Sequence, residues 1–224
     1  MNIQVKNVTK TLGLIKRNKV IDNVSMELKS GTVYGFSGIN GSGKTMMMRL
    51  LCGLLVADKG EILIDGKKIG KDIDFPKSVG LLIENPAFLG GYSGFENLKK
   101  IIEITGKPDE AEIKRAIERV GLDPADEKIV KKYSLGMKQR LGIAMAIVGA
   151  PELVILDEPT NALDSTGVER VKQIISEERD RGALVVVSCH DRSILDEVSD
   201  TIFVVDNGKI TQYAAIGDDN FEEA

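Results

Sequence analysis

The run Gly38-Ile39-Asn40-Gly41-Ser42-Gly43-Lys44-Thr45 sets three glycines, a lysine and a hydroxyl at the spacing of a phosphate loop. Glycines at that spacing let the backbone curl until several N–H groups point inward at one anion. A helix starting at the end of the loop adds its positive N-terminal end. Lys44 then reaches the β- and γ-phosphates of a nucleotide, and the Thr45 hydroxyl ligates Mg²⁺. The plain alternative, a flexible glycine-rich turn, leaves the lysine and threonine without a role.

A second set stands at 153–160, Leu-Val-Ile-Leu-Asp-Glu-Pro-Thr. Asp157 closes an apolar run and is placed to hold Mg²⁺ through its water shell, since Mg²⁺ keeps several waters beside one or two carboxylates. Glu158 follows, positioned to orient or deprotonate a water attacking the γ-phosphate. On their own, two acids ahead of a proline are also an ordinary solvated turn. Beside a phosphate loop they complete a nucleotide-hydrolysing set.

The elements needed to position these groups are legible around them. Residues 1–36 read as short strands with turns, and the alternation in Val24-Ser25-Met26-Glu27-Leu28 suits a half-buried antiparallel strand. Residues 44–56 carry apolar side chains at helical spacing, and Asp65-Gly66 marks a hairpin. Val79–Ile83 is apolar throughout, as in a strand buried on both faces, and Asn85-Pro86 stops it. Residues 86–133 change texture to charged amphipathic helices interrupted by glycine and proline. Beyond them come helix 135–149, strand 153–157, helix 167–181, strand 183–188, a short helix near 192–198 and strand 201–206. Strands alternating with helices predict a parallel sheet wound on both sides. The expected fold is α/β: an N-terminal antiparallel β layer, a parallel-sheet core built from 1–85 and 134–224, and a helical insertion over 86–133, all within one domain spanning 1–224.

Composition narrows the function classes. The 224 residues are 42% hydrophobic and 29% charged with a net charge of −4, which suits a soluble globular chain and argues against a nucleic-acid partner. No apolar stretch approaches the roughly 20 residues that span a bilayer. The start lacks the apolar segment of a secretory signal. Cys52 and Cys189 show no paired spacing, consistent with a reducing cytosol. One histidine, His190, excludes a multi-histidine metal site.

Three more segments fall in a telling order. Tyr133-Ser134-Leu135-Gly136-Met137-Lys138-Gln139-Arg140 precedes the Asp-Glu strand, Asn161-Ala162-Leu163-Asp164 follows it, and Ser188-Cys189-His190-Asp191 ends the next strand. With the phosphate loop and the Asp-Glu strand, they resemble the ATP-binding subunit of ABC transporters, a P-loop NTPase, along nearly the whole chain. The resemblance implies ATP and Mg²⁺ as ligands. It assigns nucleotide contacts to Gly38, Asn40, Gly41, Ser42, Gly43, Lys44, Thr45 and Met46, and metal contacts to Thr45, Glu84 and Asp157. Lys44, Glu158 and His190 are the implied catalytic groups, His190 matching the family's switch histidine. Ser134 and Gly136 match the signature motif usually written LSGGQ, while Tyr133, Leu135 and Met137 depart from it. In the family that segment faces the γ-phosphate held by a second ATP-binding subunit, identical or not, and Asp164 matches the loop joining the two sites. Ser134 as an ordinary helix cap and Asp164 as a turn residue remain the simpler readings. The implied partner is an integral-membrane permease, with the chain peripheral on the cytoplasmic face of the membrane. A soluble non-transport ABC-type ATPase, for example in cluster assembly, is the rival. A P-loop kinase or GTPase would leave the signature, the Asp164 loop and His190 without purpose.

Two departures stand out. Most family members carry glutamine where this chain has Glu84. Ionised glutamate accepts but cannot donate, so it favours Mg²⁺ and repels the γ-phosphate. It is either a tolerated substitution or the mark of a subgroup resembling bacitracin-resistance and lantibiotic-immunity transporters, whose substrates are peptide antibiotics or other amphiphiles. At the adenine, the family's stacking aromatic is replaced by Leu12, which predicts looser nucleotide binding, because stacking on an aromatic ring contributes roughly 1–3 kcal/mol per base.

Overall fold

The computed structural model describes residues 1–13, 18–84, 86–106, 109–215 and 222–223. Asn85, read above with Pro86 as ending the apolar run, lies outside them. Strands β1 (Asn2–Leu12), β2 (Asn18–Lys29), β4 (Lys59–Ile64) and β5 (Lys67–Lys68) form an antiparallel sheet in the order β2-β1-β4-β5. Between β4 and β5, Asp65 and Gly66 both take positive φ, 47° and 78°, the two-residue turn whose twist matches that of the strands it joins. In β2, Val24 and Leu28 are buried while Ser25 and Glu27 are exposed, as the alternation requires.

The second sheet holds β3 (Thr32–Ser37), β6 (Val79–Leu82), β7 (Leu153–Asp157), β8 (Leu184–Ser188), β9 (Thr201–Asp206), β10 (Lys209–Ala215) and β11 (Glu222–Glu223), in the order β11-β10-β9-β3-β8-β7-β6. Strands β9, β3, β8, β7 and β6 run parallel, and β10 and β11 continue the sheet antiparallel. The parallel strands are apolar along their middles, with polar residues confined to their ends, because both faces are covered. Leu153, Ile155, Leu184 and Val186 pack with the antiparallel sheet and with helix α1 (Lys44–Leu51). Val154, Leu156, Val185 and Val187 point the other way, onto α4 (Leu135–Ile147), α5 (Ser165–Asp180) and α6 (Arg192–Val198). Between β6 and β7, α2 (Gly94–Thr105) and α3 (Glu110–Arg119) precede a single 3₁₀ turn, Val130–Lys132, and pack through Leu98, Ile113 and Ile117 against α4.

Element bounds differ from the sequence pattern at helix ends. The apolar periodicity of 44–56 outruns α1, which stops at Leu51 because the chain turns at Cys52-Gly53, Gly53 having a φ of 81°. Helix α5 begins two residues earlier than its apolar pattern, because the Asp164 side chain accepts from the Gly167 N–H and caps it. Among the described residues, no helix is long and apolar enough to cross a membrane.

Candidate functional site

The carboxyl ends of β3, β7 and β8 bring the chemistry-bearing residues together. After β3 the chain curls through Gly38–Gly43 into α1, with Gly41 and Gly43 at φ of 82° and 120°. A side chain at Gly43 would meet the Val20 carbonyl oxygen at 2.8 Å, so the loop closes only without one. Lys44 is buried, and its Nζ donates to the Gly38 and Ile39 carbonyls at 2.6 and 3.2 Å, bending the lysine back along the loop it ends. The Ser42 hydroxyl is buried with no hydrogen-bond partner among the described residues.

Thr45 Oγ1 donates to Asp157 Oδ2 at 2.6 Å, joining the start of α1 to the end of β7. Asp157 is only 6% exposed. Its other oxygen, Oδ1, accepts a short hydrogen bond from the Ser188 hydroxyl, which in turn accepts from the Glu158 N–H at 3.0 Å. Asp157 and Ser188 face each other in the β7–β8 register, which brings that hydroxyl within reach of both acids. Glu158 turns with a φ of 50°, a left-handed conformation uncommon for a residue with a side chain. Gln139 of α4 holds that turn by donating through Nε2 to the Glu158 and Pro159 carbonyls at 3.1 and 3.2 Å. The Glu158 side chain reaches His190: Oε2 lies 2.9 Å from Nδ1 and accepts from the His190 N–H at 3.2 Å. Oε1 is buried without a hydrogen-bond partner among the described residues. A cavity of about 320 Å³ opens beside Asp157 and Glu158, lined by them, by Asn40, Gly41 and the run Gly43, Lys44, Thr45 and Met46, and by Leu12 and Val20. The cavity lining thus combines two aliphatic side chains, Leu12 and Val20, with the loop, its lysine and two carboxylates.

The remaining sequence candidates occupy other places. Ser134 caps α4, its hydroxyl accepting from the Met137 N–H at 3.2 Å, and Leu135 next to it is 65% exposed. Gly136 backs onto the Ala162 carbonyl, which a side chain there would meet at 2.8 Å. Asp164 accepts from Arg140 Nη2 at 2.9 Å besides capping α5. The Gly167 N–H, then Arg140, hold its carboxyl below the ordinary value. Signature segment and Asp164 loop therefore support each other within one chain, and none of these three residues lines the cavity. Glu84 is held by Arg49 of α1, Oε1 to Nη2 at 2.7 Å, with a φ of 60° and 60% of its side chain exposed. The pairing turns its carboxylate to a guanidinium rather than to the Thr45–Asp157 pair.

The sequence reading did not single out Val20, Ser188, Gln139 or Arg140. Ser188, Gln139 and Arg140 stand inside segments chosen for other residues, so their signal was position next to a motif. Cys189 is buried, with its sulfur 3.6 Å from the Thr160 hydroxyl, and burial pushes its thiol above the ordinary value.

Residues 21–161 match the family described as ABC transporter. The chain is 44% identical over 208 residues to the uncharacterized ABC transporter ATP-binding protein YybJ of Bacillus subtilis, covering 93% of this chain and 94% of that protein. It is 34% identical over 223 residues to the lantibiotic transport ATP-binding protein SrtF of Streptococcus pyogenes, covering 99% and 94% respectively. Its fold superposes on a dimeric, post-hydrolysis ATP-binding cassette bound to ADP and Pi with a TM-score of 0.87, at 22% identity over 96% of this chain and 99% of that one.

Proposed function

The chain belongs to the ABC transporter family as an ATP-binding, ATP-hydrolysing subunit, and we propose that two copies, or one copy and a related subunit, close head-to-tail on two ATP molecules. The observation that carries this reading is the convergence of Lys44, Thr45, Asp157 and Glu158 at the ends of neighbouring strands around one cavity that Leu12 and Val20 also line, with His190 reaching Glu158. Open parallel sheets bind ligands at the carboxyl ends of their strands. Leu12 and Val20 flank the base, the loop from Gly38 to Met46 wraps the phosphates, and Lys44 exchanges its loop carbonyls for phosphate oxygens. Thr45 and Asp157 form a hard-oxygen donor pair that suits Mg²⁺, and they are the residues that would hold it. When bound, that ion neutralises charge on the β- and γ-phosphates. Glu158 orients the attacking water and takes its proton, and His190 fixes the carboxylate that does so. Ser134 and Gly136 of the opposing subunit supply the free N–H groups of a helix N-terminus to the γ-phosphate.

ATP favours the closed pair and hydrolysis releases it, which is a shift of populations toward the state that binds ATP better. That change passes to a separate membrane permease through the surface around Glu84 and the helices of 86–133, a subdomain within a single 1–224 unit. The chain sits on the permease at the cytoplasmic face of the membrane. The transport names of its relatives favour this reading over a soluble, non-transport ATPase. Glutamate at position 84 and the likeness to SrtF make peptide antibiotics or other amphiphiles the substrates to test first.

Glu158→Gln tests the reading. The general base is expected to account for at least about a hundredfold in turnover, and the variant is expected to accumulate as an ATP-bound dimer in size-exclusion chromatography. Hydrolysis by Glu158→Gln at the parent rate would remove Glu158 from the role given to it.

A further inference from the structure

One cluster beside the proposed ATP site has a chemistry that hydrolysis does not need. Donor atoms of Glu158, Cys189 and His190 all lie within 4.8 Å of one another. The strand register makes this so: Asp157 and Ser188 are paired across β7 and β8, so the next residues, Glu158 and Cys189, leave the two strand ends side by side, and His190 follows. Nothing in the proposed hydrolysis uses a sulfur atom.

We propose that Glu158, Cys189 and His190 bind Zn²⁺, and that the bound ion stops ATP turnover by removing the general base and its histidine from the reaction. Carboxylate oxygen, imidazole nitrogen and thiolate sulfur are the three ligand types Zn²⁺ takes, at about 2.0–2.3 Å. Tetrahedral angles at those lengths put the donors about 3.3–3.8 Å apart, so the present spacing closes with a small movement. His190 carries 64% of its side chain in solvent and gives the ion a way in. Glu158 brings a buried oxygen that has no other partner among the described residues. Binding forms a Zn–S bond as the thiol proton leaves to solvent, while Glu158 and neutral His190 donate lone pairs, and a water fills the fourth position. Mg²⁺ does not compete there, because it demands oxygen ligands in octahedral array. The two ions therefore divide, Mg²⁺ to Thr45 and Asp157 and Zn²⁺ to the neighbouring cluster. Cys52, the other cysteine, is buried at the end of α1 in the opposite hydrophobic cluster and serves as an internal control.

The site is read first with Co²⁺ on the purified chain without nucleotide. The parent and Cys52→Ser are expected to show a thiolate-to-cobalt charge-transfer band in the near ultraviolet that added Zn²⁺ abolishes, and Cys189→Ser is expected to lack it. A parent without the band, or a band lost in Cys52→Ser, overturns the proposal, and this comparison stands even if Cys189→Ser fails to fold. Inhibition is then read as ATP turnover at buffered free Zn²⁺ under excess Mg²⁺, each protein against its own zinc-free rate. Cys189→Ser is expected to need at least about tenfold more Zn²⁺ than the parent for half inhibition. Equal sensitivity overturns the proposal and places the inhibition at Thr45 and Asp157. The inhibition rests on the role given to Glu158, whereas the cobalt band does not, so a failure of either is told apart from the other.

Discussion

Ser188→Ala is the substitution whose effect follows most directly from the geometry. The Ser188 hydroxyl is fully buried, donates to Asp157 Oδ1 and accepts from the Glu158 N–H. Alanine leaves a carboxylate oxygen, 6% exposed as part of Asp157, without that donor, and an N–H without its acceptor. A hydrogen bond to a charged group contributes about 1.5–3 kcal/mol, and a neutral one about 1 kcal/mol. The expected loss is therefore about 3 kcal/mol, read from the urea midpoint. For a chain of this size that corresponds to a fall of about 6–12 °C in Tm. A second consequence separates positioning from mere support. With one anchor gone, Asp157 swings about the remaining Thr45 bond, so half-maximal ATP turnover is expected to need at least about tenfold more Mg²⁺, the usual cost of losing a partner that orients a metal ligand. Ser188→Thr keeps the hydroxyl and adds a methyl group to a full site, so it is expected to lose stability yet keep the parent Mg²⁺ dependence. A loss under about 1 kcal/mol with unchanged Mg²⁺ dependence would refute the argument that Ser188 holds Asp157 in place.

Leu12→Tyr is expected to tighten ATP binding by equilibrium titration, since a ring there offers the base a stacking face worth roughly 1–3 kcal/mol; an unchanged or weaker Kd would remove Leu12 from the base. Glu84→Gln and Arg49→Gln each break an exposed ion pair worth at most about 1 kcal/mol, so stability should hardly move while turnover shifts several-fold. Parent turnover in both variants would reduce the pair to a surface contact. For Asp164, whose carboxyl is held low by the Gly167 N–H and Arg140, the stabilisation is complete above the ordinary value of 3.8 and fades as pH falls below it through the lower folded-state value. Chemical denaturation of Asp164→Asn against the parent should show a gap at neutral pH that closes in strong acid, and a constant gap would refute the assignment.

What the sequence displayed and what it hid divide along a physical line. The phosphate loop was legible because its chemistry is local: glycine spacing, one lysine and one hydroxyl specify the curl and its ligand. The parallel strands were legible because burial on both faces leaves unbroken apolar runs. Asp157 was legible because it ends such a run, and Glu158 because it comes next. Ser188 was not, since its hydroxyl matters only through the register that sets it opposite Asp157, and register is decided by pairing across thirty-one residues of chain. Gln139 was hidden for a similar reason, its amide reaching the turn that follows β7 from a helix on the sheet's face. The Arg49 partner of Glu84 lies thirty-five residues earlier, on a helix chosen for its apolar face. Periodicity also overran α1, because a turn at Cys52-Gly53 ends a helix without interrupting the apolar pattern.

The two roles proposed for the neighbouring acids follow from their different environments. Asp157 and Glu158 are adjacent, yet their side chains leave the strand for different company. Both oxygens of Asp157 accept from hydroxyls, Oδ2 from Thr45 and Oδ1 from Ser188, and the residue is almost fully buried. A carboxylate so held keeps its position, which is what the proposed binding of a metal through an ordered shell requires. Glu158 spends one oxygen on His190 and keeps the other unpartnered. A buried acceptor without a donor carries an unmet desolvation penalty of about 1–3 kcal/mol, and a water or hydroxyl delivered to it recovers that penalty. The backbone pays for the arrangement as well, since a left-handed residue with a side chain costs on the order of 1–2 kcal/mol, held here by Gln139 and Ser188. A strained turn and an unmet acceptor, one residue after a saturated carboxylate, are what support the proposal that Glu158 rather than Asp157 takes the proton.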